Sequence, residues 1–388
     1  MRIFVLLSRI PYPLEKGDKL RAFHQIRELS KNNEIILCAL NTVPKINKEA
    51  AFQSLQPYCR SINFLDLSFF GRIINVIRAL FSGLPLQAGY FFSKQASRKI
   101  NKLIKEYQPD HIYCQLIRTA EYVKHISIKK TIDYQDVFSF GMKRRIGTSS
   151  FFLKPFVALE YKRLAAYEAQ VFETFDHHTI ISKPDRELIP HPDKNRIHIV
   201  LNGVDHNFFK PQEIEKKYDV VFTGNMAYPP NIDAAVFLAT EIMPIVWRKK
   251  PGATLLLAGA SPDSRVTALA SNKVTVTGWM DDIRSAYAQT QLFIAPMRLG
   301  TGLQNKLLEA MSMKLPTITT SLANNALCAK DGKEILIGET AESLAKHIID
   351  LLDNRLLYDK IAENGHRFVR QNYNWEEATN YLEKILKS

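Results

Sequence analysis

The chain has 388 residues, which is more than one hydrophobic core usually supports, so two domains are expected. Hydrophobic residues make up 46% and charged residues 23% of the sequence, which excludes a disordered or low-complexity protein. No apolar run approaches the ~18 residues of a membrane-spanning helix, and the N-terminal run IFVLL is too short for a signal peptide. A cytoplasmic protein is expected.

The net charge of +13 is concentrated in the first half of the chain. Residues 1–205 carry 31 Lys+Arg and 19 Asp+Glu, whereas residues 206–388 carry 21 and 20. Such a basic half suits an anionic membrane, an acidic substrate or nucleic acid. Segments 69–83 and 151–167 combine aromatic and basic residues as interfacial helices do, although packed helices with solvated cations fit the pattern equally well. Nucleic acid is disfavoured, because no recognition motif accompanies the charge.

The four cysteines are far apart in the sequence. Cys38 and Cys114 lie within the apolar runs EIILCAL and HIYCQLI, while Cys59 and Cys328 are isolated. This spacing is typical of buried reduced thiols and not of disulfides or metal ligands.

Strand-like and helix-like patterns alternate along the chain. The first half runs from RIFVLLS through EIILCAL, SINFLDL, HIYCQLI and KKTIDYQD, with helical stretches between these runs and a long helix from about Phe151 to Phe175. After a turn at Asn202–Gly203 the alternation restarts with YDVVFTG. This pattern predicts an α/β protein with two doubly wound, Rossmann-like domains. The predicted domains are 1–205 and 206–370, and the helix 371–388 is predicted to pack back on the first.

The stretch RLGTGLQNKLLEAMS, residues 298–312, follows the apolar run LFIAPM and begins a helix. Gly300 and Gly302 let the backbone approach an anion, and the first turn of the helix presents its N–H groups. Lys306 and Glu309 share one helix face. A lysine there can neutralise a phosphate, and a carboxylate can accept hydrogen bonds from a ribose diol. The combination predicts a site for a nucleotide diphosphate.

The second half, from IVLNGVDHNFF to the terminal helices, resembles the donor domain of glycosyltransferase family 4. This resemblance implies the GT-B fold, with a nucleotide sugar, carrying UDP or GDP, in the cleft between two domains. It also implies transfer with retention of configuration and no obligate metal or other cofactor. On this resemblance, six more residues are expected to bind the donor: Gly224, Asn225, Trp279, Arg298, Thr301 and Leu303.

Two positions depart from the family pattern. A family glutamate that touches the donor sugar corresponds to Thr301, and the Arg and Lys that approach the diphosphate are absent after Gly224, where Asn225 follows. We therefore expect Lys306, Arg298 and the helix N-terminus to stabilise the leaving diphosphate. Trp279 is expected either to shield the base or to lie in the core.

In the first half, the loop RIPYPLEKGDKLRAFH resembles the family's glycine-containing first loop. The resemblance places Gly17, Asp18 and Arg21 on the acceptor side or near the donor phosphates. Asp136, in KKTIDYQDVFSF, follows another strand. It is expected either to orient or deprotonate an acceptor hydroxyl, as a catalytic residue beside Lys306 and Glu309, or to cap a helix.

The function expected from the sequence is a retaining, metal-independent glycosyltransferase of the hexosyltransferase type. It would transfer a sugar to a glycan or lipid-linked acceptor in bacterial cell-surface polysaccharide biosynthesis. The basic first half would hold it peripherally on the inner membrane. Two alternatives stay open: a nucleotide-sugar epimerase of the same fold, and a non-catalytic donor-binding subunit or scaffold.

Overall fold

The computed structural model describes residues 1–300 and 302–388. They form two compact units: Met1–Leu201 together with Trp375–Ser388, and Asn202–Asn374. The chain thus leaves the first unit after Leu201 and re-enters it at Trp375. Both divisions lie four residues from the boundaries 205/206 and 370/371 predicted from the sequence.

The first unit is built on a parallel sheet of seven strands among the described residues, in the order β3-β2-β1-β4-β5-β6-β7. These strands are β1 (Arg2–Leu7), β2 (Glu34–Asn41), β3 (Ser61–Asp66), β4 (His111–Gln115), β5 (Lys130–Asp133), β6 (His177–Ile180) and β7 (His198–Ile199). Its helices are α1 (Gly17–Leu29), α2 (Lys48–Leu55), α3 (Phe69–Ser82), α4 (Leu86–Phe91), α5 (Lys94–Tyr107), α6 (Phe138–Thr148), α7 (Lys154–Thr174) and α8 (Lys183–Leu188), with 3₁₀ turns at Gln56–Tyr58, Ile117–Tyr122 and Lys194–Arg196.

The second unit has a parallel sheet of six described strands in the order β10-β9-β8-β11-β12-β13. Its strands are β8 (Tyr218–Thr223), β9 (Leu255–Ala258), β10 (Val274–Val276), β11 (Thr290–Ala295), β12 (Thr317–Thr319) and β13 (Leu336–Ile337). Its helices are α9 (Pro229–Phe237), α10 (Met243–Lys249), α11 (Ser264–Thr267), α12 (Arg284–Ala288), α13 (Asn305–Ser312), α14 (Ser321–Leu327), α15 (Ala341–Asp353) and α16 (Arg355–Asn372), with a π-helical turn at Leu238–Ile242 between α9 and α10. The last helix, α17 (Trp375–Lys387), belongs to the first unit.

Helices cover the sheets, which explains why inner strands such as β1 and β9 are apolar and buried. Every residue of β1 after Arg2 is buried, and alternate residues supply the two cores of the first unit. Phe4 and Leu6 pack into one core, whereas Ile3 and Val5 pack into the other, which also contains Leu382 of α17. Burial of every strand position is the signature of parallel α/β sheets. The predicted fold class is confirmed.

Each sheet has a switch point at which the strand order reverses direction. In the first sheet it lies between β1 and β4, and in the second between β8 and β11. Ligands of open α/β sheets bind outside the carboxyl ends of the strands at such points. The fold therefore directs attention to two places, one in each unit.

The cysteines have different surroundings. Burial raises the pKa of Cys38 and of Cys114 to about 12, which confirms that these two are inert core thiols. Cys328 is exposed, contrary to the expectation of burial, because it lies at the left-handed C-cap of α14. No helix in the described part of the chain is long and apolar enough to cross a membrane.

Candidate functional site

At the switch point of the second sheet, three glycines follow three neighbouring strands. Gly224 ends β8, Gly259 ends β9 and Gly278 follows β10, and all three have positive φ. The backbones of the first two touch, since a Cβ on Gly259 would lie 1.8 Å from the Gly224 carbonyl oxygen. Glycine is therefore required at Gly259, a position that the sequence reading missed although it stands in the run LLLAG. Without side chains here, the edge of the sheet stays open to a ligand.

Lys306, in the first turns of α13, reaches the end of β8. Its Nζ donates to Asn231 Oδ1 at 2.6 Å and lies 4.5 Å from the centre of the Phe222 ring. The amide of Asn231 is oriented by a second bond, because its Nδ2 donates to the Asn225 carbonyl oxygen at 2.9 Å. A Cβ on Gly224 would approach the Lys306 ammonium to 3.1 Å. The Lys306 ammonium is thus held directly over Gly224.

The ammonium of Lys306 is only partly compensated. Burial lowers its pKa to about 7, and the nearby charge of Glu309 acts in the opposite direction. An ammonium has three N–H donors, and Asn231 is its one hydrogen-bond acceptor among the residues that the structure describes. The remaining donors and the unneutralised charge suit an anion such as a phosphate, which would raise the pKa again.

Glu309 lies one helical turn further along α13 and is the end of a hydrogen-bonded chain. Tyr287 of α12 is fully buried, and its hydroxyl donates to Glu309 Oε2 at 2.7 Å. Because a phenol has a single hydrogen, the 2.8 Å contact between Tyr287 and Thr223 must be donated by the threonine. Burial raises the pKa of Glu309, while the Tyr287 hydroxyl and the Lys306 charge lower it. One carboxylate face is thereby fixed, and the other can accept hydrogen bonds.

The structure corrects the prediction for Arg298. Its guanidinium binds the carboxylate of Asp233 through two nitrogens, at 2.9 and 3.1 Å, and lies 3.6 Å from Glu241. It also stacks on the Phe237 ring at 4.1 Å. With two carboxylates beside it, Arg298 is tied to Asp233 of α9 and has no uncompensated charge to offer a diphosphate.

Of the other residues predicted to bind the donor, the structure describes Gly300, Gly302, Leu303 and Trp279. Gly300 and Gly302 have φ values of 107° and 79°, so both use the conformational freedom of glycine. Thr301 lies outside the described residues, and Leu303 is partly exposed. Trp279 is 60% exposed, and its indole N–H donates to Asp281. The ring is therefore not a core residue, and the prediction that it covers a base stays open.

At the switch point of the first sheet there is a hollow between the ends of β1 and β4. It is lined by Leu7, Ser8, Arg9, Asp18, Lys19, Ala22, Gln115 and Leu116. Asp18, at the start of α1 beside Gly17, accepts from Arg9 at 2.8 Å. Leu116 has φ of 64° and ψ of 141°, a strained conformation for a residue with a side chain. Strain of this kind is concentrated at functional sites, and sequence reasoning had no signal for it.

Arg21 does not face this hollow, which corrects the prediction that it contacts a ligand. Its side chain is fully buried and forms a bidentate ion pair with Asp133 at the end of β5, with distances of 2.6 and 3.1 Å. Asp133 also accepts from Thr179 at 2.9 Å and from Tyr113 at 3.1 Å. Burial opposes the charge of Arg21, but Asp133 and Tyr113 leave its pKa raised. The arginine is a structural link between α1 and the sheet.

Asp136 lies at the surface, three residues beyond Asp133, the last residue of β5. Its N–H reaches the Tyr134 carbonyl at 2.6 Å across Gln135, whose φ is 60°, so this turn is strained as well. Asp136 as a whole residue is exposed, but nearby protein desolvates its carboxylate and raises the pKa of that group. The hydrogen bond from the Val137 N–H acts in the opposite direction. It does not cap α6, whose first-turn Ser139 N–H donates to the buried Glu168 at 3.1 Å. Of the two roles expected for Asp136, the acceptor-side role stays a prediction.

Residues 217–354 match the family model Glycosyl transferases group 1. The match lies within the second unit, which is therefore similar in sequence to group 1 glycosyltransferases. The whole chain is similar to an uncharacterized 44.6 kDa protein in the cps region of Klebsiella pneumoniae, with 24% identity and 96% of each chain covered. The predicted resemblance to glycosyltransferases is thereby confirmed.

Solved structures with the GT-B fold superpose on the chain over its full length. Sucrose-phosphate synthase from Thermosynechococcus elongatus has a TM-score of 0.73 at 14% identity, covering 100% of this chain and 98% of its own. Anabaena HepE in complex with UDP and glucose has a TM-score of 0.72 at 13% identity, with 99% of each chain covered. S. aureus TarM, in a complex that includes UDP, has a TM-score of 0.67 at 11% identity, with 100% of each chain covered. These similarities show that the chain has the GT-B fold.

Proposed function

We propose that the protein transfers a sugar from a UDP- or GDP-sugar to a glycan or lipid-linked acceptor, with retention of configuration, in bacterial cell-surface polysaccharide synthesis. The observation that carries the proposal is the arrangement at the switch point of the second sheet. There Lys306 projects over Gly224, and Glu309 is held by Tyr287 one turn further along the same helix. The relative from a cps region and the UDP complexes of the structural neighbours support this choice of substrates.

In the proposed reaction the two donor phosphates lie over Gly224 at the end of β8, where Lys306 and the N-terminus of α13 face them. The ribose diol donates to the open face of Glu309. When the bond between the sugar carbon and the phosphate oxygen breaks, the electron pair remains on the diphosphate. A protonated Lys306 stabilises that added negative charge in the transition state. Arg298 has no part in this step, because Asp233 and Glu241 neutralise it.

The acceptor is proposed to bind the first unit at its own switch point, beside Asp18 and Asp136. To retain the configuration, the acceptor hydroxyl attacks the sugar carbon on the face from which the diphosphate leaves, and its proton passes to Asp136. A raised pKa makes Asp136 a better base than an ordinary aspartate, since proton affinity increases with pKa. No metal has a part in the proposed mechanism.

The excess of cations in residues 1–205 would hold this unit at an anionic membrane surface, and the contribution is expected to weaken with salt.

The test is a thermal-shift panel of UDP- and GDP-sugars and free nucleotides, with product analysis of every nucleotide sugar that binds. A ligand at 100 times its dissociation constant stabilises the protein by ~2.7 kcal/mol. The proposal expects stabilisation by one nucleotide class and sugar transfer when an acceptor is added. A new sugar isomer formed without acceptor would identify an epimerase. Binding without either transfer or slow donor hydrolysis would identify a donor-binding subunit.

A further inference from the structure

Helix α3 is amphipathic in the reverse sense, with polar side chains toward the protein and apolar side chains toward solvent. Arg72 is buried against Tyr90, to whose hydroxyl it donates, and Asn75 donates to the Phe92 carbonyl oxygen at 2.5 Å. The opposite face is apolar and exposed; its large side chains are Phe70, Ile73, Ile74, Ile77 and Phe81. A surface helix of a globular protein normally has the opposite arrangement.

A second exposed apolar segment leads into α7, a helix that contacts the last turns of α3. Residues 151–156 lead into α7, and Phe151, Phe152 and Phe156 expose 80%, 82% and 68% of their surface. Arg163 of α7 donates to the carbonyl oxygens of Ala79 and Leu80, in the last turns of α3. The two elements are therefore neighbours in one unit. We call the exposed face of α3 together with residues 151–156 the α3 surface.

The chain segments that carry the α3 surface contain charges of one sign. No Asp or Glu occurs between Asp66 and Glu106 or between Asp136 and Glu160. In the same ranges the exposed cations include Arg78, Lys143 and Lys154. Contiguous exposed apolar side chains such as these mark interaction sites. Aromatic side chains flanked only by cations complement an anionic lipid surface, where rings enter the acyl boundary and ammonium groups meet the headgroups.

We propose that the α3 surface inserts into the interfacial layer of a lipid bilayer that contains anionic lipids. The polar anchors Arg72 and Asn75 hold the helix in place so that its apolar face stays outward and does not collapse onto the protein. The inference deepens the membrane part of the proposed function, because it assigns binding to particular inserted side chains in addition to a general excess of charge. It is independent of whether the donor site binds a nucleotide sugar.

The experiment is flotation of the full chain with vesicles of phosphatidylethanolamine and phosphatidylglycerol, and with phosphatidylcholine vesicles, at low and high salt. Two variants change the surface without adding charge: Phe70→Gln with Phe81→Gln, and Phe151→Gln with Phe152→Gln. The matched control is Leu356→Gln, an 84% exposed apolar residue on α16 in the second unit. Thermal unfolding and the nucleotide shift, measured in parallel, show whether each variant is folded and whether the donor site is intact.

We expect each double variant to bind anionic vesicles at least about tenfold more weakly at low salt, and the control to bind within about twofold of the unchanged chain. Binding of the unchanged chain should fall with salt but stay above that of the double variants, because insertion does not depend on charge. A Phe81→Trp variant should bind normally and lose fluorescence to brominated acyl chains. Unchanged vesicle binding by both double variants overturns the inference. The inference is also overturned if the unchanged chain is a dimer, the double variants are monomers and vesicle binding is retained. The α3 surface would then be a contact between two copies of the chain.

Discussion

The substitution Lys306→Met tests the donor site most directly, because it removes the charge and keeps the length of the side chain. Burial lowers the pKa of Lys306 to about 7 in the free protein. The protonated fraction therefore falls from about nine tenths at pH 6 to about one tenth at pH 8. A nucleotide sugar keeps both phosphate charges over this interval, so the lysine is the group whose charge changes at the site.

The size of the effect follows from this fraction. If the ammonium form binds the diphosphate, the apparent affinity is the intrinsic affinity multiplied by the protonated fraction. The dissociation constant for the nucleotide sugar should then rise about tenfold from pH 6 to pH 8, equivalent to ~1.4 kcal/mol. Lys306→Met should lose a charge-assisted contact of ~1.5–3 kcal/mol at pH 6, about ten- to a hundredfold in affinity, and its pH profile should be flat.

The assay is isothermal titration of a nucleotide sugar between pH 6 and 8. The control is Lys346→Met, which removes an exposed lysine of α15 that pairs with Asp350. The control should keep both the affinity and the pH profile of the unchanged protein. Affinity of Lys306→Met within twofold of the unchanged protein at pH 6, with the same pH profile, would refute the assignment of Lys306 to the diphosphate.

Four further outcomes are expected. Tyr287→Phe removes a donor from Glu309, the carboxylate proposed to bind the ribose, so UDP affinity should fall about fivefold and discrimination against 2′-deoxy-UDP should shrink; equal discrimination in titrations of both proteins would contradict this. Arg21→Leu leaves Asp133 as an unpaired buried charge and should cost about 3–5 kcal/mol in urea unfolding, most of which Asp133→Leu in the same chain should restore; a loss below 1 kcal/mol would show that the pair is unimportant. Arg298→Ala should leave donor affinity within twofold, and a tenfold loss by titration would return the arginine to the site. Asp136→Asn should lower kcat in the transfer assay with donor affinity unchanged; a normal kcat would exclude it as the base.

The sequence was sufficient for the fold because parallel strands buried on both faces leave an apolar record. The runs RIFVLLS and EIILCAL became β1 and β2, and the long helical pattern became α7. Lys306 and Glu309 were also predictable, because a glycine turn followed by a helix is a local arrangement. Both the strands and this turn depend on residues close together in the chain.

The rest of the site depends on partners distant in the sequence. Tyr287 is 22 residues from Glu309, and Asn231 is 75 residues from Lys306. Neither pairing leaves a periodic or spacing signal. The correction for Arg298 has the same origin, since Asp233 lies 65 residues away. An arginine in a sequence shows its charge, but the carboxylate that neutralises it is visible only in the folded chain.

The passage of the chain back into the first unit has a consequence for its biogenesis. Leu382, Ile385 and Leu386 of α17 complete the core on one face of the first sheet, and Glu383 accepts from Asn32 and Asn33. The ribosome therefore has to translate all of the second unit before the first can close that core. During this interval an apolar surface of the nascent first unit stays uncovered, so the growing chain should engage chaperones until residues 375–388 emerge.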